Sequence, residues 1–443
     1  MERKYITNFS KSDNYRAKMH DLIPGGAHTY SKGDDQFPQN SPAAIVRGKG
    51  SHVWDVDGNE FVECLLGLAS VSLGHAYEPV IARVTEELQK GNNFSRPSVI
   101  EREMAEKFLS LVPGHDMIKY AKNGSVVTTA AVKLARAATG RTLIARPAEH
   151  PFYSYDDWFI GSTDANYGIP EAISNLTVMY KADNLESLKE LFEKYPGQIA
   201  CVISEPEKMN VLAPDYLKNA IALAHQHGAL YIVDEMITGF KTAFPGSCAK
   251  FGVVPDMTTW GKGIANGFSF CALTGKKEVM ELGGIRNKGA KKLFLISTTH
   301  GGETSSIAAG LATIAEFERH DVVGHNHRIG DLFISGTKSL LEKHGLTEYI
   351  DQLQFNWHPS MGFRNAKKEP DFGMRTLFNQ EVIKRGALFQ GVFCPCFSHT
   401  EEDVNHVLWA FDEAMEVYKK GLEDGYEKYL VGDVIKPVFR KFI

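Results

Sequence analysis

The chain has 443 residues and a formal net charge of −5, with 43% of residues hydrophobic and 23% charged. That length suits one large α/β domain with a smaller companion. The near-neutral balance argues against a nucleic acid or an anionic membrane as the main partner.

From the start, "MERKYITNFSKSDNYRAKMH" lacks the apolar core of a signal peptide, and no run approaches membrane-spanning length. "HVWDVDGNEFVECL" alternates apolar and polar residues around a "DG" turn, which predicts a β-hairpin. "EPVIARVTEELQK" and "VIEREMAEKFLSLV" have helical spacing, and "GSVVTTAAVKLARAATG" is a helix entered through Gly124-Ser125 and closed by Gly140. Then "IACVISEP", the helix "YLKNAIALAHQHG" and "ALYIVDEM" alternate strand, helix and strand, each apolar run ending in charge. The fold class is therefore α/β, a mainly parallel sheet flanked by helices. Ligands of such sheets bind beyond the carboxyl ends of the strands, where Glu205 and Asp234 fall. From residue 323 mixed short elements lead into "SHTEEDVNHVLWAFDEAMEVYKK", a capped helix. The expected organisation is an N-terminal segment over 1–75 that joins the small domain or a partner, a large domain over 76–322 and a small α+β domain over 323–443. The six cysteines are scattered rather than framed for disulfides, which fits reduced thiols and a cytoplasmic protein. "CPC" at 394–396 lacks a second pair at ligand spacing, so no metal is expected.

Three places carry chemistry. Gly124 and Ser125 open a helix whose N–H groups can hold a phosphate, although the same pair serves as a plain N-cap. Asp234 ends an apolar strand, where it caps a helix, joins an ion pair or meets a buried cation such as a pyridinium nitrogen. Lys262, in "MTTWGKGIANGF", is an ordinary loop lysine or a desolvated amine that attacks a carbonyl to form a Schiff base. Its flanking glycines would let the chain approach a flat ring closely. Together, in the order 124, 234, 262, the three outweigh their separate bland readings.

At these residues the sequence resembles the class III, fold-type I aminotransferases, in the branch of glutamate-1-semialdehyde 2,1-aminomutase. The likeness runs over most of the chain, through "IPGGAHTYSKG", "SLGHAYEPV", "NGSVVTTAAVKLARAATGR", "IVDEMITGF", "PDMTTWGKGIANGF" and "THGGETSSIAAGLATI". It implies pyridoxal 5'-phosphate as cofactor, bound through Lys262, which also shuttles a proton at the substrate Cα. Asp234 would pair with the pyridine nitrogen, Ile237 would pack on one ring face, and Gly124 and Ser125 would hold the phosphate. Glu205 would lie near the cofactor, and Thr299 would reach the phosphate from the other subunit of a homodimer.

Three departures bear on this carry-over. Val126 stands where the family has an acidic residue, so phosphate repulsion falls and local hydrogen bonding is lost. "EHPFYSYDDWF" replaces the family's "YHG" segment, with Phe152, or Tyr153 after a one-residue slip, as the stacking aromatic. Lys32 replaces the aminomutase's carboxylate-binding arginine. The last two segments resemble a sub-branch of amino-sugar enzymes, the 8-amino-3,8-dideoxyoctulosonate transaminases. They imply a polar pocket with Tyr30, Lys32, Asp34, Asp35 and Tyr155, unless these are ordinary loop residues. The resulting expectation is a transaminase that moves an amine from glutamate to a keto or aldehyde sugar acid. Its rivals are the aminomutase and a non-catalytic sugar-binding relative, and retention of both Lys262 and Asp234 speaks against the latter.

Overall fold

The computed structural model describes residues 3–208, 210–353 and 355–442. The chain divides into two compact units, Glu78–Val323 with Phe439–Ile443, and Met1–Tyr77 with Gly324–Val438.

The first, larger unit is built on seven strands: β1 Met117–Ala121, β2 Leu143–Pro147, β3 Thr177–Tyr180, β4 Ile199–Ser204, β5 Leu230–Asp234, β6 Met257–Trp260 and β7 Cys271–Gly275. Their spatial order is β1-β7-β6-β5-β4-β2-β3. Only β7 runs antiparallel to its neighbours; every other pair is parallel. Strands β2, β4, β6 and β7 are buried at every position, the reason they read as continuous rather than alternating runs. One face packs Ile144, Ile203, Ile232 and Leu273 under Val127, Ala131 and Leu134 of helix Gly124–Thr139. The other packs Leu143, Val202, Tyr231 and Val233 against Leu188, Leu191, Leu217 and Ile221. Each fully buried Leu or Ile side chain stabilises by about 1.5–3 kcal/mol, and this two-sided core fixes the strand register.

That register places the chemistry. In β4 and β5, Ser204 pairs with Val233, and in β5 and β6, Asp234 pairs with Thr259. Glu205 therefore leaves β4 level with Asp234, and Gly261-Lys262 leave β6 two residues past Thr259, all at one edge of the sheet. Helix Gly124–Thr139 starts at the same edge, after β1. Asn123 caps it by accepting from Val126 N at 3.1 Å, and Gly140 closes it at φ 69°.

In the second unit the expected hairpin forms from His52–Asp55 and Glu60–Glu63, antiparallel, in a four-stranded sheet with Ile45–Lys49 and Ala387–Leu388. Asp55 Oδ1 ties its turn by accepting from Asp57 N at 2.9 Å and Asn59 N at 2.8 Å. Cys394 and Cys396 are fully buried thiols outside any disulfide. The final helix, Glu401–Asp424, has the anticipated capping box, formed by Thr400 and Asp403. The sequence reading carried the small domain through residue 443. Instead the chain from Phe439 onward packs with the larger unit, where the Phe439 ring lies 6.4 Å from that of Phe152 and the same distance from Phe159. No described helix is long and apolar enough to cross a membrane.

The capping carboxylate of Asp403 also accepts from Ser51 Oγ at 2.9 Å and meets His52 Nε2 at 2.8 Å. Burial alone would raise the Asp403 pKa, but its bonds to His52, Thr400 and Ser51 hold it well below the usual carboxylate range. A depressed folded-state pKa stabilises above the unfolded value, and that stability is lost as pH falls through the acid range. Asp403→Ala should therefore lower the unfolding free energy by about 1–2 kcal/mol at pH 7. In denaturant titrations across pH, the variant's deficit should shrink below pH ~4, where the carboxylate protonates in the unfolded chain before it does in the folded one.

Candidate active site

Asp234 is buried at the end of β5, where Oδ1 accepts from Met236 N at 2.9 Å and Thr259 Oγ1 at 2.8 Å. Oδ2 takes no hydrogen bond among the described residues. Burial and then the charge of Glu205 raise the Asp234 pKa, and Lys262 pulls it the other way. A carboxylate so placed is stabilised by a cation brought to it. A protonated pyridine nitrogen has that charge and that shape.

Lys262 opens a single 3-10 turn after β6 and takes φ 48°, a left-handed conformation uncommon for any residue but glycine. Desolvation lowers its pKa, against the attraction of Glu205 and Asp234. A lowered pKa leaves more of the amine neutral and nucleophilic. Gly261 beside it is extended, and its lack of a side chain answers to space. A Cβ there would stand 2.2 Å from Met236 Sδ and 2.7 Å from Cys271 Sγ. The protein's own sulfur pair is thus enough to require a glycine here.

At the helix start, the N–H groups of Gly124 and Ser125 take no acceptor among the described residues, as an anion site requires. Ser125 Oγ is buried and accepts from Tyr155 N at 3.0 Å. The backbone N–H of Val126 is taken by Asn123 Oδ1. Lys122, next to this cradle, pairs with Glu303 Oε2 at 2.6 Å and Ser306 Oγ at 2.6 Å, which anchors the segment after Thr299. Thr299 is exposed, and its carbonyl accepts from Asn93 Nδ2 at 3.1 Å. The free N–H pair, the open side of Asp234 and the displaced pKa of Lys262 together fit a phosphorylated pyridine aldehyde.

Glu205 is buried, with its N–H bound to His150 Nδ1 at 3.3 Å and Tyr153 Oη at 3.2 Å, and Lys208 Nζ lies 3.8 Å from Oε2. Ile237 is buried three residues after Asp234. Tyr153 is buried, whereas Phe152 is 44% exposed and stacks at 26° on Phe439. Tyr155 meets Ser125 through its backbone and leaves its ring exposed. Tyr30 and Lys32 lie on a short turn of the smaller unit, both exposed. Asp34 of that unit meets Arg16 Nε at 2.9 Å and His20 Nε2 at 2.7 Å, one on each oxygen. His150 and Lys208 escaped the sequence reading, although His150 follows the apolar run of β2 as Asp234 closes that of β5.

Residues 35–353 match the family model for class-III aminotransferases. Among curated relatives, a glutamate-1-semialdehyde 2,1-aminomutase of Thermus thermophilus is 31% identical, over 90% of this chain and 96% of its own. One of the same name from Persephonella marina is 30% identical, over 83% and 90%. Among solved structures, the FumI protein of Sphingopyxis sp. MTA144 superimposes with a TM-score of 0.85 at 23% identity, covering 94% of this chain and 98% of that one. A glutamate-1-semialdehyde aminomutase of Pseudomonas aeruginosa PAO1 gives 0.79 at 19%, covering 92% and 94%. Fold and site define a pyridoxal-phosphate enzyme of fold type I. The chain belongs to the class-III aminotransferase family.

Gly261→Ala should overpack the Met236–Cys271 contact. We expect a loss of about 1–3 kcal/mol in unfolding free energy and weaker pyridoxal-phosphate binding by fluorescence titration, with secondary structure by circular dichroism unchanged.

Proposed function

We propose that this aminotransferase takes its amine from glutamate and delivers it to a keto or aldehyde sugar acid, in an 8-amino-3,8-dideoxyoctulosonate type of reaction. The observation that carries amine transfer is the alignment of Glu205, Asp234 and Lys262 at one sheet edge. The acceptor class is supported by the polar segments around Tyr30 and Tyr155, and by the point charge of Lys32 in place of a bidentate arginine.

Pyridoxal 5'-phosphate, when bound, supplies the electron sink for the substrate's Cα–H bond. The chain's own residues do the rest. Gly124 and Ser125 hold the phosphate at the helix N-terminus. Asp234 keeps the proton on the pyridine nitrogen, while Ile237 and Phe152 flank the ring. Lys262 Nζ accepts the Cα proton and returns it on the opposite side of the transfer. Glu205 supports positive charge on the Lys262 nitrogen. Thr299, exposed on its own chain, reaches the phosphate held by a second copy in a homodimer.

The aminomutase is the second reading, favoured by the curated relatives at 30–31% identity. The two readings part on the amine donor. Glutamate alone should release one equivalent of 2-oxoglutarate per active site and bleach the holoenzyme's visible absorbance. Turnover of glutamate-1-semialdehyde without a donor, and no 2-oxoglutarate, would establish the aminomutase instead. Lys262→Ala should cut transfer by about four or more orders of magnitude, as loss of a covalent catalyst does. Borohydride treatment should then no longer fix the cofactor to the chain by mass spectrometry.

A further inference from the structure

Next to Glu205 lies a buried polar pair that amine transfer, as described, leaves unused. The Glu205 N–H, just past the end of β4, meets His150 Nδ1 at 3.3 Å and Tyr153 Oη at 3.2 Å, and these two acceptors are themselves 2.5 Å apart. A backbone N–H can only donate, so Nδ1 is assigned as the bare nitrogen and the ring proton to Nε2, which is buried with no hydrogen bond among the described residues. The Tyr153 hydroxyl then donates to Nδ1 while its oxygen receives the Glu205 N–H. Desolvation lowers the His150 pKa to about 4, which keeps the ring neutral in this role. Tyr153 is pinned from the other side, because its carbonyl accepts from Thr128 Oγ1 at 2.9 Å on the helix that opens with Gly124. Its ring packs edge-on against Phe159 at 5.7 Å.

The pair thus joins the exit of β2, the exit of β4 and the phosphate-cradle helix. The charges around His150 are Glu205, Lys208, Glu149 and Arg146. Those around Lys262 are Glu205, Lys208, Asp234 and the Cys271 thiol. Glu205 is the carboxylate common to both sets, and it is the leading attraction on the Lys262 ammonium. Its Oε2 is buried with no hydrogen bond among the described residues.

We propose that His150 and Tyr153 are positioning residues: by receiving the Glu205 N–H they hold its carboxylate where it supports positive charge on the Lys262 nitrogen. This rests on the reading of Glu205 as a cofactor-side residue.

The test uses holoenzyme and its visible absorbance as a function of pH, with thermal unfolding measured alongside. His150→Asn can present an amide oxygen where Nδ1 sits, whereas His150→Gln places its polar atoms near Nε2. Tyr153→Phe removes only the hydroxyl, and Glu205→Gln removes only the charge. Glu205→Gln should lower the titration midpoint, since a positive nitrogen loses its nearest support. His150→Gln and Tyr153→Phe should lower it in the same sense by roughly 0.5–1 pH unit, and His150→Asn should stay near wild type. A midpoint moved by Glu205→Gln but not by His150→Gln or Tyr153→Phe, even with lower unfolding temperatures, would mean that the pair only packs. Rescue by Gln and not Asn would move the role to Nε2–H and equally overturn the proposal. No shift in Glu205→Gln would overturn the reading of Glu205 itself. If Tyr153→Phe fails to fold, the Asn–Gln contrast at His150 still decides.

Discussion

The parallel register of three neighbouring strands is the constraint on which the site depends. With Ser204 opposite Val233 and Asp234 opposite Thr259, two carboxylates and one amine from distant parts of the sequence emerge side by side. A slip of one residue in β5 would turn Asp234 to the other face of the sheet. Solvation opposes the result, since burial raises the Asp234 pKa and lowers that of Lys262. The apolar layers on both faces of the sheet hold an arrangement that the charged groups alone would abandon.

Local sequence pattern exposed the parts of this design that local physics controls. Uninterrupted apolar runs closed by charge gave β4 and β5 with Glu205 and Asp234 at their ends. The "DG" hairpin and both capped helices were equally legible, because turns and caps depend on residues a few positions apart. Hidden were the features made by contacts between remote residues. Nothing in "EHPFYSY" says that its histidine will accept from a backbone N–H some fifty residues later. The pairing of Asp34 with Arg16 and His20 is not visible in the sequence, and Phe439 gave no hint that it would return to Phe152. The glycine before Lys262 was noticed for close approach, and the structure adds a neighbour that the sequence does not show. A side chain there would meet Met236, just past the end of β5, and Cys271, the first residue of β7.

The proposed reaction and the proposed substrate draw on different parts of the molecule. The lysine, the carboxylates and the helix start are set by strand ends and a helix cap, which the core makes rigid. The segments that depart from the family, around Phe152 and Tyr155, lie in loops, where side chains change without disturbing the sheet. Relatives near 30% identity can therefore share the chemistry and differ in what they act on.

The left-handed backbone of Lys262 has a consequence for how this position can evolve. A non-glycine residue at φ 48° carries about 1–2 kcal/mol of conformational strain. Glycine would relax that strain, and asparagine much of it, so the substitutions most damaging to the enzyme are among those most comfortable for the empty fold. Selection for a sturdier protein alone would erode this lysine, and the role proposed for it is the demand that would oppose that drift.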